Sequence, residues 1–254
     1  MDGLSEVEPK ILAVIPARGG SKRIPRKNIQ PILGRPLIAY TISEALKSSL
    51  ITEMVVSSED DEIVRIAKRY GANVPFKRPI ELAGDDVTTL AVLKHAVGTM
   101  EKLKGLTYAY VVLLYPTTPL KTREDVDAVI QKLMETSADS VVSVTRVVTA
   151  HPLRMCKIVD DRVMSFIQGA SIGMFKRQDL PTVYIRNDCA YAFHRDILMS
   201  TNDENMFGRD VRAYIMPLER SVDINEPLDL LTAEALMKNR DWSHVKPVGS
   251  VELV

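Results

Sequence analysis

Between positions 18 and 27 the chain carries Arg18, Lys22, Arg23, Arg26 and Lys27, interleaved with Gly19, Gly20 and Ser21, directly after the apolar run Ile11 to Ile15 and Pro16. Five cations in ten residues, around two glycines that let backbone N–H groups turn toward a ligand, have the composition of an oligophosphate cradle. The stretch reads as a triphosphate site. A Walker A loop would need G-x-x-x-x-G-K followed by Ser or Thr, and a dinucleotide fingerprint G-x-G-x-x-G; both are absent. The plain alternative is a solvated basic turn. Against it stands the repulsion of like charges, which a bound polyanion relieves.

A second candidate is Asp223, set between Val222 and Ile224 just past an expected strand. A carboxylate flanked by two apolar residues there points into a crevice while they point into the core. As a hard oxygen ligand near a phosphate cradle it suggests Mg²⁺ shared with the phosphates. Its alternative role is a helix N-terminal carboxylate for a helix starting at Glu226. His95 falls within a helical pattern and reads as a satisfied or exposed helix residue. No Ser-His-Asp or Cys-His arrangement follows from spacing.

The elements that must position these residues can be read in order. Residues 11–15 form a buried strand, 36–47 a helix with Pro36 in its first turn, and 54–57 a strand. Acidic residues 59–61 open a helix that Gly71 stops. A short strand over 73–76 leads into the loop RPIELAGDD, followed by a helix over 88–102, a strand over 108–114 and the turn 115–119. A helix over 122–135 and a strand over 140–147 complete this part. The alternation predicts βαβ crossovers and a mostly parallel sheet. Ligands then bind beyond the carboxyl ends of the strands, where the cradle, the 78–89 loop and the 115–119 turn face one crevice.

From about 150 the rhythm changes. Residues 151–159, 162–168 and 185–194 read as antiparallel strands around the turn Asp160–Asp161, with a polar linker over 169–182. They predict an antiparallel insertion over about 150–194, of the kind that pairs subunits. A strand over 211–216 resumes the main domain, and 226–240 forms the last helix. Domain boundaries follow: a loose tail over 1–10, the main domain over 11–240, and a tail over 241–254, containing Trp242, to which the sequence assigns no role.

The 254 residues suffice for one α/β domain with a modest excursion. With 33 Lys plus Arg against 33 Asp plus Glu the net charge is zero, so the basic loop is local, which argues against general nucleic-acid binding. Residues 1–10 lack a cationic and then apolar secretory pattern, and no stretch reaches the roughly 20 apolar residues of a membrane helix. Cys156 and Cys189 show neither metal-ligand spacing nor a disulfide framework. A cytoplasmic protein is expected.

The run AVIPARGGSKRIPRKNI, followed in order by VVSSEDDEI, RPIELAGDD, LLYPTTPL and SVDINEPLDL, closely resembles the acylneuraminate cytidylyltransferase family. This family comprises CMP-sialic acid synthetases and their relatives for legionaminic and pseudaminic acids. The resemblance spans residues 11–240. It implies a nucleotide-diphospho-sugar transferase fold, Rossmann-like, three-layered and mostly parallel, with the antiparallel insertion exchanged in a homodimer. It also implies an in-line attack by the anomeric hydroxyl of a nonulosonic acid on the α-phosphorus of CTP. Arg18, Gly19, Gly20, Ser21 and Lys22 would meet the triphosphate; Asn28, Arg78, Val87 and Thr89 would surround the cytidine; Arg18, Lys22 and Asp223 would carry the chemistry, with Mg²⁺ on Asp223. On the sugar side it implies Tyr115, Arg154, Arg177 and Tyr191, the two arginines for the sugar carboxylate, partly across the dimer.

The chain departs from the family at three places. Asn225 stands where a second metal-binding Asp is usual, and is a weaker ligand for a hard cation. Tyr115 stands where the sialic acid enzymes carry Gln. Arg186-Asn187-Asp188-Cys189, preceded by Ile185, replaces an R-x-N-G-A pattern. Tyr115 and the Arg and Gly lost from that pattern cluster on the sugar side and imply an acceptor other than ordinary N-acetylneuraminate. A 3-deoxy-manno-octulosonate cytidylyltransferase, a nucleotidyltransferase acting on a sugar phosphate, and a non-catalytic nucleotide-binding homologue are the alternatives.

Overall fold

The computed structural model describes residues 8–169, 176–202 and 205–249, apart from the side chain of Arg177. The leading apolar run is strand β1 (Ile11–Pro16). A small hairpin of β2 (Pro31–Ile32) and β3 (Arg35–Pro36) leads into α1 (Leu37–Lys47), β4 (Glu53–Ser57) and α2 (Asp61–Arg69). Then come α3 (Thr89–Lys104), β5 (Tyr110–Leu114), α4 (Arg123–Thr136) and β6 (Ser140–Arg146). The hairpin β7 (Cys156–Val159) and β8 (Arg162–Ser165) precedes β9 (Tyr184–His194), α5 (Arg195–Ser200), β10 (Val211–Met216) and α6 (Pro227–Met237).

Among the described residues, six strands form the main sheet in the order β10-β6-β9-β5-β1-β4. Its neighbours are parallel except for β9, which runs antiparallel to both β5 and β6. Alternation along β1 sends Ile11, Ala13 and Ile15 to the face covered by α1, α2 and α4, and Leu12 and Val14 to the face covered by α3. These are the three layers of an α/β fold. Each Ile, Leu or Val side chain so withdrawn from water contributes about 1.5–3 kcal/mol.

Local signals set the helix ends. Asp60 accepts the N–H groups of Glu62 and Ile63 at 3.0 and 2.9 Å and so caps α2, worth about 1 kcal/mol. Gly71, at φ 91°, ends that helix, and a Cβ there would press on Val248 and Leu46 at 3.0–3.1 Å. Thr122 and Asp125 form a capping box at the start of α4.

Several expectations are corrected. Residues 73–76 are not a strand: Asn73 makes one bridge with Val55, and Pro75 has no N–H to extend the ladder. Residues 152–154 form a 3-10 turn opened by Pro152, so the strand expected from 151 starts at Cys156; its partner ends at Ser165. The antiparallel excursion is thus the β7–β8 hairpin. The strand expected to complete it, β9, instead lies in the middle of the main sheet. Cys189 to Phe193 are all buried, so both faces of that strand are covered, as an internal position requires. Helix α5 was not anticipated, and the last helix stops at Met237 rather than 240.

The segment after α6, without a role in the sequence, closes a third apolar cluster. Trp242 is 7% exposed, sits edge-on to Tyr40 with ring centroids 5.0 Å apart, and donates its Nε1–H to Met237 O at 2.8 Å. With Val245 it packs against Leu37, Leu120, Ile224 and Met237. Residues 1–7 and 250–254 of the expected tails, and residues 170–175 of the expected linker, lie outside the described residues.

Candidate active site

A cavity of about 500 Å³ opens beyond the carboxyl ends of β1, β4 and β5. From the cradle it is lined by Arg18, Ser21 and Lys22, and from the 3-10 turn Lys27–Ile29 by Lys27 and Asn28. From the loop before α3 come Arg78, Asp85 and Val87, with Thr89 at the start of that helix. Tyr115 and Thr117 line it from the turn after β5, and Asn225 from the segment before α6. The expectation that three loops face one crevice matches this arrangement.

The cradle differs from its expected form in one respect. Four of its five cations, all but Lys27, are paired with carboxylates of the chain itself. Asp85 reaches Arg18 Nη1 with Oδ1 at 2.9 Å and Lys22 Nζ with Oδ2. Arg18 Nη1 also donates to Gly84 O at 3.1 Å. Arg26 forks onto Asp60 and Glu62, and Arg23 meets Glu226 at 2.9 Å. Gly19 is required by packing: its N–H donates to Glu59 Oε1 at 2.7 Å, and a Cβ would sit 2.6 Å from Asp60 Oδ2. Its N–H therefore faces the acidic start of α2, and neither Gly19 nor Gly20 lines the cavity.

Asn28 is 5% exposed, and its Nδ2 donates to Arg18 O at 2.9 Å. Arg78 is 4% exposed, its guanidinium donating to Ser57 Oγ at 3.0 Å and to Ser57 O. Both are fixed before any ligand arrives. Tyr115 places its hydroxyl 3.0 Å from Thr89 Oγ1, and burial pushes its phenol up to about 12, so it stays neutral at physiological pH.

Other candidates lie apart. Tyr191 is buried beneath Tyr115, rings edge to face at 6.3 Å, with its hydroxyl on Asp188 Oδ1. Arg154 is exposed in the 3-10 turn before β7 and does not reach the cavity. Arg177 begins another 3-10 turn; its side chain is outside the described residues. His95 is half-buried on α3 against Phe76, outside the cavity, and its buried Nδ1 has no hydrogen-bond partner, so it is neither satisfied nor freely exposed.

Asp223, partly buried, is not among the residues that line the cavity, although Asn225 two residues on is. Oδ2 accepts from Asn225 Nδ2, while the buried Oδ1 has no hydrogen-bond partner. Burial raises its carboxyl above the ordinary value, against the hydrogen bonds from Thr117 and Asn225 that lower it. Val222 and Ile224 join the third apolar cluster, as their pattern required. Asn225 Oδ1 is engaged by Lys27 Nζ at 3.2 Å, and the same ammonium donates to Ile224 O at 2.8 Å. Sequence reasoning assigned no role to Asp85 or Thr117, and gave Lys27 only a place among the cradle cations. All lie within motifs quoted above, but nothing local says what they touch.

The comparisons decide the family. A family model described as cytidylyltransferase matches residues 12–219. The chain belongs to the cytidylyltransferase family. It is 31% identical over 229 residues to a pseudaminic acid cytidylyltransferase of Campylobacter jejuni, covering 90% of this chain and 97% of that one. It is 32% identical over 237 residues to a CMP-N,N'-diacetyllegionaminic acid synthase of Legionella pneumophila, with coverage of 90% and 97%. Among solved structures, a CMP:2-keto-3-deoxy-manno-octonic acid synthetase complexed with CTP superposes with TM-score 0.64 over 90% of this chain and 98% of that one. At 20% identity this last likeness shows the shared fold. The enzyme is a nucleotidyltransferase by family.

Proposed function

We propose that this cytidylyltransferase activates a nonulosonic acid with CTP, giving the CMP-sugar and pyrophosphate. The observation that carries the reading is the single cavity gathering Arg18, Lys22, Asn28, Arg78 and Thr89 with Tyr115. Phosphate-binding cations, fixed amide and guanidinium groups and an acceptor-side aromatic stand together in a volume suited to a nucleotide and a sugar.

In the proposed reaction the anomeric hydroxyl oxygen bonds to the α-phosphorus, the α–β bridging P–O bond breaks, and pyrophosphate leaves with the electron pair. The hydroxyl proton passes to solvent. Arg18 and Lys22 leave Asp85 for the β- and γ-phosphates and offset the charge that builds on the leaving oxygens. Asn28 and Arg78, already held by Arg18 O and Ser57, orient the cytidine without further ordering.

Mg²⁺ fits the residues present. The buried Oδ1 of Asp223 lacks a partner, and Mg²⁺ needs only one or two protein carboxylates when phosphates and water supply the rest. Among the described residues no group of three or more Asp, Glu, His or Cys side chains is placed to hold a metal ion, so Asp223 would be the main protein ligand. Asn225, engaged with Lys27, would contribute little. Bound there, the ion would withdraw charge from the phosphoryl oxygens.

A homodimer belongs to the same proposal. The β7–β8 hairpin and its flank leave Ile158, Val163, Met164 and Phe166 exposed, Ile158 by 72% and Phe166 by 62%. An apolar patch of this kind favours an interface, across which Arg154 and Arg177 would reach a partner's sugar carboxylate. A cytoplasmic setting is proposed as well, supported by two free cysteines. Among the described residues no helix is long and apolar enough to cross a membrane. The reading includes no nucleic-acid partner, in keeping with a net charge of zero.

The test is pyrophosphate release from CTP and Mg²⁺ with pseudaminate, di-N-acetyllegionaminate, N-acetylneuraminate, ketodeoxynononate and 3-deoxy-manno-octulosonate. Turnover with pseudaminate or legionaminate above N-acetylneuraminate is expected, because the differences cluster around Tyr115 and Asp188. Turnover only with 3-deoxy-manno-octulosonate, or none with any sugar acid, overturns the reading.

A further inference from the structure

Lys121 is completely buried, at 0% exposure, one residue before the cap of α4. Its Nζ donates to Tyr115 O at 2.7 Å, to Thr118 O at 2.7 Å and to Thr41 Oγ1 at 3.0 Å. All three ammonium hydrogens are thereby used, and none of the acceptors is a carboxylate. Burying a cation without a paired anion costs several kcal/mol. An apolar side chain of similar length would fill the space without that penalty. The ammonium therefore serves the geometry of what it holds.

What it holds is the turn between β5 and α4. Tyr115 and Thr117 from this turn line the cavity. Thr117 O accepts the N–H of Ile224, the residue after Asp223, at 2.8 Å. Thr118 Oγ1 lies 3.2 Å from Asp188 O, which ties the turn to β9 at the position where the register shifts. Thr41 Oγ1 on α1 also reaches Tyr115 O at 3.3 Å. Neither Lys121 nor the carbonyls that it binds share a hydrogen bond with Arg18, Lys22, Asn28 or Arg78.

We propose that Lys121 is a positioning residue. Its ammonium holds the Tyr115–Thr118 turn, and through it the segment that carries Asp223, so that the acceptor end of the cavity keeps its shape, while the Arg18–Lys22 cradle, Asn28 and Arg78 are held by other bonds. The proposal rests on the assignment of the Tyr115 end of the cavity to the acceptor. It names a residue that touches neither substrate.

Titration of the amine offers a second readout. Burial pulls Lys121 down to about 8, against Cys189 on β9, Asp223, Glu44 on α1 and Asp125 on α4, which all favour the charged form. Above that pH the neutral amine keeps two N–H donors, and one of its three acceptors loses its partner. Acceptor binding then weakens as pH rises. The contribution of this group to stability moves the other way. A base with a depressed folded value destabilises while charged, so stability rises between about 8 and its ordinary 10.5.

The experiment uses the full chain and Lys121→Met. Wild type and variant are compared for CTP affinity by calorimetry, KM for the sugar acid that turns over, and hydrogen exchange of residues 115–120, 221–226 and 18–30. Expected are a KM for the acceptor raised about tenfold or more, as small misplacements at a reacting centre give, with affinity for metal-free CTP unchanged. Exchange accelerates over 115–120 and 221–226 and stays the same over 18–30. The acceptor KM of the wild type rises above about pH 8, and that of the variant is flat. Equal losses of CTP and acceptor binding, an unchanged acceptor KM, or unaltered exchange over 221–226 would overturn the proposal.

Should Lys121→Met fail to fold, Thr41→Val removes one acceptor and keeps the cation. It is expected to raise the acceptor KM and to bring its alkaline rise to lower pH; an unchanged KM and profile would refute the clamp. Absence of turnover with every sugar acid would instead sink the functional reading, and the exchange comparison would still report on the clamp.

Discussion

Replacing Arg220 by methionine strips a wholly buried carboxylate of its counter-charge. Asp125 on α4 is 0% exposed and accepts Arg220 Nε at 2.9 Å and Nη2 at 2.7 Å, with Tyr214 at 3.1 Å and Thr122 N at 3.0 Å. Removing one partner of a buried pair costs about 3–5 kcal/mol, because the remaining charge loses its compensation. Arg220 keeps 25% of its side chain in water, which favours the lower end, about 3 kcal/mol. For 254 residues, an unfolding entropy of about 2.1 cal/mol/K per residue totals roughly 0.5 kcal/mol/K, so Tm falls by about 6 °C.

Differential scanning calorimetry of wild type, Arg220→Met, Asp125→Asn and the double variant reads this directly. The double variant should lose markedly less than the sum of the singles, since each single leaves the other group stranded. Catalysis should fall too, because the 3-10 turn Leu218–Arg220 delivers the chain to Asp223. A Tm change below about 2 °C, or strictly additive singles, would refute the reasoning.

Asp85→Asn should tighten binding of inorganic pyrophosphate and CTP several-fold, measured by calorimetry, since the carboxylate that holds Arg18 and Lys22 no longer competes with the ligand. Weaker binding would count against the cradle. Asp60 is held below its ordinary value of 3.8, chiefly by the Arg26 hydrogen bond. Its stabilisation is therefore present above that value and lost as pH falls through the lower folded value; the stability gap between wild type and Asp60→Asn should close in acid unfolding below about pH 4. Trp242→Ala should cost about 3–5 kcal/mol in denaturant unfolding, whereas a dispensable tail would give no change.

Much of the nucleotide half was legible in the chain. Arg18, Ser21, Lys22, Asn28, Arg78, Val87 and Thr89 all line the cavity. The cradle follows β1, and a parallel sheet puts strand ends together; Asn28, Arg78, Val87 and Thr89 are named by resemblance. The sugar half was less legible. Tyr191, named by resemblance as well, lies under Tyr115 rather than in the cavity. Its partner Asp188 is turned to φ 50° close to the register shift between β6 and β9, a pairing between segments 44 residues apart at Ser143 and Asn187.

By itself the sequence determined the periodicity of β1, the capped starts of α2 and α4, the order of motifs that places the chain in its family, and the supply of cations in the cradle. These are properties of neighbouring residues, and local chemistry dictates them. The tertiary structure decided which surfaces meet. It put β9 inside the sheet, set Asp85 between Arg18 and Lys22 across more than sixty residues, buried Lys121 beneath the turn that it holds, and laid Trp242 against Tyr40. Counter-charges and packing partners depend on how distant segments share one core, and no spacing within a single motif carries that information.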